Sequence, residues 1–206
     1  MKTTCPVCGK AKAVRHCPAL KQLICPQCCG KGRQRSIDCP EDCGYLSQSR
    51  ERAVARLLSL AGDPGFESVW PDVLHNLRLA LVRVQQGRVA DLTDSECMEA
   101  VGNASDTLRT RSKGLIYEYR SHNPHAQLAA DELLQVVGNH ETGQKGFRRV
   151  GIEDLGRCLR YLKQQFEESE KRGTGYLSLA AQAVGRQYVA GEGAGPSHGR
   201  PEVHTL

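Results

Sequence analysis

Eight of the ten cysteines of this chain lie among its first 43 residues, a density that suits the binding of metal ions. They are Cys5, Cys8, Cys17, Cys25, Cys28, Cys29, Cys39 and Cys43. Clustered thiols form disulfides in oxidising compartments and hold metal ions in reducing ones. The opening residues, MKTTCPVCGK, lack the apolar segment of a secretory signal, so we expect a cytoplasmic protein with reduced cysteines. The cysteines are therefore predicted to be metal ligands.

Two pairs of cysteines have the spacing of zinc knuckles. Cys5-Pro-Val-Cys8 and Cys25-Pro-Gln-Cys28 each place two residues between two thiols, and 16 residues separate the pairs. A two-residue spacer lets both sulfurs of a knuckle reach one tetrahedral ion, and the distance between the pairs is typical of a four-cysteine zinc site. Gly9 suits the tight turn that follows the first knuckle. We predict that these four cysteines hold one zinc ion.

The remaining four clustered thiols are enough for a second tetrahedral site. Side chains of adjacent residues point in different directions, so Cys28 and Cys29 serve two ions more easily than one. Cys39 and Cys43 enclose Pro-Glu-Asp, which suits the first turn of a helix. The predicted second site consists of Cys17, Cys29, Cys39 and Cys43. His16 is an alternative to Cys17, because an imidazole nitrogen also binds zinc.

A structural role for zinc is favoured over the other uses of these thiols. Cysteine knuckles also hold iron, in iron–sulfur clusters and in rubredoxin-like centres, so iron remains an alternative. A catalytic zinc ion keeps three protein ligands and an open position, whereas here the eight thiols divide into two complete sets. We therefore predict two zinc ions with structural roles.

The knuckles resemble those of treble-clef and cross-brace zinc fingers, over about the first fifth of the chain. The RING pattern does not fit, because no Cys-x-His pair precedes Cys25. The longer string CPQCCG…R…CPEDCGYL is similar to the N-terminus of bacterial proteins of uncharacterised function. This resemblance implies metal binding and supplies no activity.

The basic residues of the first part of the chain raise the alternative of nucleic-acid binding. Residues 1–50 contain nine Lys or Arg and three Asp or Glu, a net charge of +6, while the whole chain carries +5. Lys31, Arg33 and Arg35 could bind phosphates. However, two zinc ions bound by eight thiolates would lower the charge to +2, and Tyr45 is the only aromatic residue available for base stacking. The basic loop is therefore expected mainly to neutralise the thiolates.

The chain is predicted to be a small metal-stabilised zinc-finger module followed by an all-α helical bundle. The module spans residues 1–46, which hold too few large apolar residues for a core without metal. Residues 47–190 repeat apolar positions at helical spacing and predict about six helices. Residues 191–206 are rich in Gly and Pro and are expected to form a disordered tail.

Local signals predict several helix ends in the bundle. Thr93 and Glu96 have the spacing of a capping box, and Asn123 with Pro124 suits a helix start. The apolar stripe that follows the capping box runs as far as Leu115. The polar string GNHETGQKG, residues 138–146, is predicted to be a loop.

The bundle carries no catalytic motif that we recognise, so we expect a non-enzymatic protein that binds another protein in a regulatory role. No apolar run approaches the length of a membrane span, and a membrane partner is not expected. Cys97 and Cys158 lie on apolar stripes and are predicted to be core residues. An enzyme with a pocket in the bundle is the remaining alternative. Its candidate residues are Trp70, Tyr117, Tyr119 and His122.

Overall fold

A computed structural model describes residues 4–60 and 63–184, which form eight helices and one two-stranded antiparallel sheet. The elements are β1 (Arg15–Cys17), β2 (Gln22–Ile24), α1 (Pro26–Gly32), α2 (Gly44–Ser59), α3 (Pro64–Val69), α4 (Pro71–Gly87), α5 (Asp94–Arg111), α6 (Pro124–Thr142), α7 (Ile152–Lys171) and α8 (Tyr176–Val184). The prediction of a mainly helical protein is confirmed. The predicted disordered tail lies outside the described residues.

Buried residues form two separate clusters. The cluster near the N-terminus consists mostly of cysteines, with Ala13, Ile24 and Ile37 as its other fully buried members. The larger cluster contains the apolar faces of the helices that follow. Helix α2 connects the two, because it begins directly after Cys43 and buries Leu57 in the larger core. With so little hydrocarbon in its own cluster, the N-terminal part depends on its sulfurs for a core.

Helix α4 lies at the centre of the helical body. It packs against α3, α6, α7 and α8, while α5 packs between α6 and α7, and α2 against α8. The apolar residues of α4 cover several sides of the helix, as expected for a helix with neighbours all around. Cys97 on α5 and Cys158 on α7 are completely buried, which confirms their prediction as core residues.

Helix α5 ends before the predicted stripe does. Its last residue is Arg111, and Leu115 lies beyond the helix with 58% of its surface exposed. Gly114 has a φ of +76°, a conformation that glycine adopts without strain, and the backbone N–H of Leu115 then bonds to the carbonyl of Thr110. The assignment of Leu115 to the apolar stripe is wrong, because the chain has already left the helix.

Helix α6 continues into the predicted loop. It runs to Thr142, so the first five residues of the predicted 138–146 loop are helical. The buried side chain of His140 explains the extension, because its Nδ1 atom lies 2.8 Å from the carbonyl oxygen of Arg148. Gly143, with a φ of +66°, then ends the helix. The loop prediction is wrong for this segment, since polarity alone did not reveal the buried face.

The capping box at the start of α5 is confirmed. The backbone N–H of Glu96 bonds to Thr93 Oγ1, and Glu96 Oε2 accepts bonds of 2.8 Å from the backbone N–H and the hydroxyl of Thr93. The other oxygen, Oε1, accepts a bond from Asn123 Nδ2 and lies 3.1 Å from His125 Nδ1. Because Asn123 caps α6, one carboxylate joins the N-termini of two helices.

Replacing Glu96 with Ala is expected to lower the free energy of unfolding by about 1–2 kcal/mol near neutral pH. Bonds from Thr93, and then from Asn123, lower the pKa of the Glu96 carboxyl from 4.5 to about 2. A depressed native pKa means that this stabilisation is complete above about pH 5 and is lost as the pH falls toward 2.

Urea unfolding curves recorded from near-neutral to acidic pH should therefore show the difference between wild type and Glu96→Ala narrowing as the pH falls. Glu153→Ala is the matched control, because Glu153 is an exposed acid in the first turn of α7. It should change stability by less than about 0.5 kcal/mol. A difference between wild type and Glu96→Ala that stays constant with pH would contradict the assigned role of the carboxylate.

Candidate metal centre

The first knuckle is a tight turn built from backbone hydrogen bonds. The N–H of Gly9 bonds to the carbonyl of Cys5 at 2.8 Å, and the N–H of Cys5 bonds to the carbonyl of Ala11 at 2.8 Å. Gly9 has a φ of +64°, so a residue without a side chain is favoured here, as predicted. The turn places Cys5 and Cys8 on the same side of the chain, with Cys5 fully buried.

The second knuckle lies where a hairpin passes into a helix. In the hairpin, Arg15 pairs with Ile24 and Cys17 with Gln22. Cys25 follows β2 directly and is the N-cap of α1, with Pro26 at the first helical position. The Cys25 sulfur accepts a hydrogen bond of 3.3 Å from the backbone N–H of Cys28.

The two knuckles bring four sulfurs together. The Sγ atoms of Cys5, Cys8, Cys25 and Cys28 all lie within 4.8 Å of one another, and the Cys8 and Cys25 sulfurs are 3.9 Å apart. Four sulfurs around one tetrahedral ion at the usual Zn–S distance would be about 3.8 Å apart. The group can therefore hold one metal ion with four thiolates, as its spacing in the sequence predicted.

The electrostatic environment of these sulfurs favours a bound cation. Burial alone would raise the pKa of the Cys5 thiol, but backbone N–H groups of three neighbouring residues outweigh burial and lower the pKa to about 6. Hydrogen bonding to Cys25, together with burial, raises the pKa of the Cys28 thiol to about 12. Four thiolates this close together repel one another, and a divalent cation at their centre removes that repulsion.

The other four clustered cysteines lie beside this group. Cys17, Cys29 and Cys43 are buried and Cys39 is half-buried. Burial raises the pKa of the Cys39 thiol, and the charges of the other three thiols raise it further, so the four are electrostatic neighbours. Among the described residues, only the sulfurs of Cys5, Cys8, Cys25 and Cys28 all lie within 4.8 Å of one another, so the second group is less closely assembled than the first.

The side chains of His16 and Cys17 lie on opposite faces of β1. The Cys17 side chain is buried toward the cysteine cluster, whereas His16 is exposed and pairs with Leu23 of β2. Successive residues of a strand point to opposite faces, so His16 and Cys17 do not share a position. Of the two, Cys17 is the residue whose side chain faces the cysteine cluster.

One basic residue near the end of α1 contacts the second group of cysteines. Arg33 is half-exposed and its Nη2 atom lies 3.7 Å from the Cys29 sulfur, while Lys31 and Arg35 are exposed. The guanidinium of Arg15 lies 4.9 Å from the centre of the Tyr45 ring. Arg33 is thus placed to neutralise a thiolate, and one face of the Tyr45 ring is already occupied.

The candidate residues for an enzyme pocket do not line the cavities described for the body. Cavities of about 350 Å³ and 260 Å³ lie along α7, and both include Arg157 and Arg160. Trp70 lies between α3 and α4, 4.7 Å below the Arg148 guanidinium. Tyr117 and Tyr119 lie in the segment between α5 and α6, where their rings contact each other edge to face.

The helical body contains a buried polar network that was not predicted from the sequence. Arg78 of α4 is 7% exposed and bonds to Glu67 of α3, Gln165 of α7 and Tyr176 of α8. The signal was the position of Arg78 in the string LRLALV, where apolar residues predict a helix buried on several sides. A charge in such a helix requires partners from its neighbours.

None of the helices in the described ranges combines the length and the apolar character needed to cross a bilayer. Comparisons of the chain with protein-family models, with curated proteins and with solved structures found no match.

Proposed function

We propose that this chain is a cytoplasmic, non-catalytic zinc-binding protein that acts by binding another protein. The observation that carries the proposal is the group of four sulfurs from Cys5, Cys8, Cys25 and Cys28, all within 4.8 Å of one another. Four protein ligands fill a tetrahedral coordination sphere and leave no position for a substrate, which is the arrangement of structural zinc sites. The ten cysteines are free thiols, which is consistent with a reducing compartment.

Zinc is the metal we propose, on the basis of the ligands and the local fold. A purely thiolate, tetrahedral site suits zinc or iron–sulfur chemistry. The order of elements is a cysteine turn, a β-hairpin and a helix that begins at a cysteine, which resembles a treble-clef zinc finger. We therefore propose that residues 1–46 are a zinc-finger module folded by its metal.

We further propose a second zinc ion bound by the remaining four thiols. Cys17, Cys29 and Cys43 are each buried, and all three lie close enough to Cys39 for their charges to raise its pKa. A cation among these thiols would also explain the approach of Arg33, whose positive charge offsets surplus thiolate charge. Binding of an ion would have to draw these sulfurs together, because among the described residues only the first four come within 4.8 Å of one another as a group.

The hairpin offers the surface that we propose for the partner protein. Val14 precedes β1 and is 51% exposed, and Leu23 of β2 is 40% exposed. Val14 and His16 lie on the same face of the strand, and His16 pairs with Leu23, so the three side chains form one outward face. Exposed apolar residues on a small, rigid module are typical of a protein-binding surface.

The alternatives draw less support from the same residues. For nucleic-acid binding, Arg33 already contacts the Cys29 sulfur and Arg15 covers one face of the Tyr45 ring, which leaves fewer groups to bind phosphate or to stack on a base. For an enzyme, the four thiolates leave no open metal position. Protein binding is therefore the function we propose for the module.

The proposal predicts that the hairpin face determines which protein is captured by the full, metal-loaded chain. Val14→Asp with Leu23→Asp should reduce recovery of the main captured protein at least about tenfold, because charges are disfavoured at the centre of an interface. Val54→Asp is the matched control, since Val54 is 42% exposed on α2, away from the hairpin. Quantitative mass spectrometry of the bound fractions measures recovery. Equal recovery by all variants would contradict the proposed surface.

A further inference from the structure

The segment between α5 and α6 is extended. Residues 115–120 belong to neither helix. Within this segment, side chains that are two positions apart in the sequence contact each other. The rings of Tyr117 and Tyr119 are 4.9 Å apart, and Arg120 Nη2 lies 3.6 Å from Glu118 Oε2. Alternating contacts of this type place odd and even residues on opposite faces, as in a β-strand.

One edge of this segment is held by the helical body. Thr110 Oγ1 donates a bond of 3.1 Å to the carbonyl of Tyr117, and the N–H of Tyr119 bonds to Thr107 Oγ1 at 2.9 Å. The N–H of Ser121 likewise bonds to Gln127 Oε1 at 2.7 Å. The backbone groups of the odd-numbered residues therefore point toward the body.

The opposite edge is open. Since backbone groups of successive strand residues point to opposite edges, those of Ile116, Glu118 and Arg120 point away from the body. They make no hydrogen bond with any residue in the ranges 4–60 and 63–184. The side chains beside this edge include Ile116, which is fully exposed at 102%, and Tyr117, which is 59% exposed. An open strand edge flanked by apolar side chains is a template for another strand.

We propose that residues 118–120, at the C-terminal end of this segment, join two copies of this chain as an antiparallel pair of strands. The charges support a second copy as the occupant. In the two-fold register that places Tyr119 opposite its own copy, Glu118 of each chain lies opposite Arg120 of the other. Both residues then use their outward backbone groups to bond to each other, and two cross-chain ion pairs form by symmetry.

The same register also uses the exposed apolar groups. The two Tyr119 rings meet across the pair, and each Tyr117 lies diagonal to Tyr119 of the other copy, which extends the ring contact already present in one chain. Ile116 lies on the face of the charged residues, beyond the three paired residues of each chain. A contact of this size is small, so the pairing is reversible and depends on concentration.

Sedimentation velocity of the full, metal-loaded chain over a range of concentrations tests the proposal. The wild type should form dimers, whereas Glu118→Arg and Arg120→Glu should each raise the dimer dissociation constant about tenfold or more, because each puts like charges in direct opposition twice. Both residues are well exposed in the single chain, at 60% and 72%, so the fold should persist, and circular dichroism verifies this.

Two further samples identify the register. The double variant Glu118→Arg/Arg120→Glu restores opposite charges and should dimerise like the wild type. An equimolar mixture of the two single variants should form mixed dimers, since every Arg then lies opposite a Glu. A wild type that stays monomeric at all concentrations would overturn the proposal and leave a foreign peptide as the occupant of the edge. Single variants that dimerise as tightly as the wild type would also overturn it.

Discussion

Replacing Cys25 with Ser is expected to remove bound zinc from the first site and to unfold the N-terminal module, while the helical body remains folded. The full chain should bind about two zinc ions per chain, and the variant at most one. Chelation of the wild type should have the same structural effect. Zinc contributes about 10–16 kcal/mol to the folding of comparable small modules. The apolar side chains of the module cannot replace that contribution, since its N-terminal cluster of buried residues contains only Ala13, Ile24 and Ile37 besides cysteines within the described residues.

Cys25 is the most informative ligand to remove because it has three roles at once. The residue is 1% exposed, and its sulfur lies 3.9 Å from the Cys8 sulfur. It caps α1 by accepting a bond from the N–H of Cys28. It also follows β2, so its position fixes the end of the hairpin. Serine keeps an oxygen at the cap but is a poor ligand for zinc beside three thiolates. Unfolding of the module in Cys25→Ser would therefore result from loss of the metal rather than from loss of the helix cap.

Elemental analysis measures the bound zinc, and hydrogen exchange measures which part of the chain unfolds. The N–H groups of Val14 and Cys29 bond to carbonyls within the module, at 3.1 Å and 3.0 Å, and should lose protection in Cys25→Ser. Amides of α4 and α5 should keep theirs, because the two cores are separate. His16→Ala is the matched control in the same hairpin and should retain the full zinc content. Unchanged protection of the module after complete chelation, or iron in place of zinc, would contradict the proposed centre.

The first group of sulfurs could be predicted because its geometry is local. Each knuckle has a two-residue spacer, and Gly9 and Pro26 occupy the positions that the turn and the helix start require. Two members of the second group, Cys39 and Cys43, lie in residues 33–43, which contain neither a helix nor a strand of the sheet. Spacing therefore predicts its ligands, but the position of Cys39 depends on how the loop packs. The two-ion interpretation stays a prediction that metal stoichiometry tests.

Helix starts were predicted better than helix ends. Thr93 and Asn123 carry their capping signal in their own side chains, so the sequence contains the information. The ends of α5 and α6 depend on tertiary contacts instead. Leu115 leaves its helix because Gly114 turns the chain, and His140 continues α6 because its ring is buried against the backbone of Arg148. Apolar periodicity does not encode such contacts.

Replacing Arg78 with Met is expected to lower the free energy of unfolding of the helical body by about 3–5 kcal/mol. The guanidinium forms an ion pair with Glu67 and donates bonds to Tyr176 at 2.9 Å and to Gln165 at 2.8 Å. Gln165 in turn donates to the carbonyl of Leu57 at 3.2 Å, so the network around Arg78 joins five helices. Methionine fills much of the same volume but leaves the Glu67 carboxylate, 14% exposed, without its cation.

Two companion variants separate the buried charge from the loss of a side chain. Arg88→Met removes an ion pair at the end of the same helix, where Arg88 is 57% exposed, and should cost less than about 1 kcal/mol. Arg78→Met combined with Glu67→Met removes both charges and should recover part of the lost stability, because apolar replacement of a buried pair is often tolerated.

Urea unfolding of the zinc-loaded protein, followed by helical circular dichroism, gives the three free energies. The order of stability should be Arg88→Met, then the double variant, then Arg78→Met. We expect this order if the main loss of stability in Arg78→Met comes from the unpaired Glu67 carboxylate of α3, rather than from lost van der Waals contacts. If Arg78→Met costs no more than Arg88→Met, or if adding Glu67→Met lowers stability further, the network is not held together by charge. The same measurement would then assign the joining of the five helices to their apolar contacts alone.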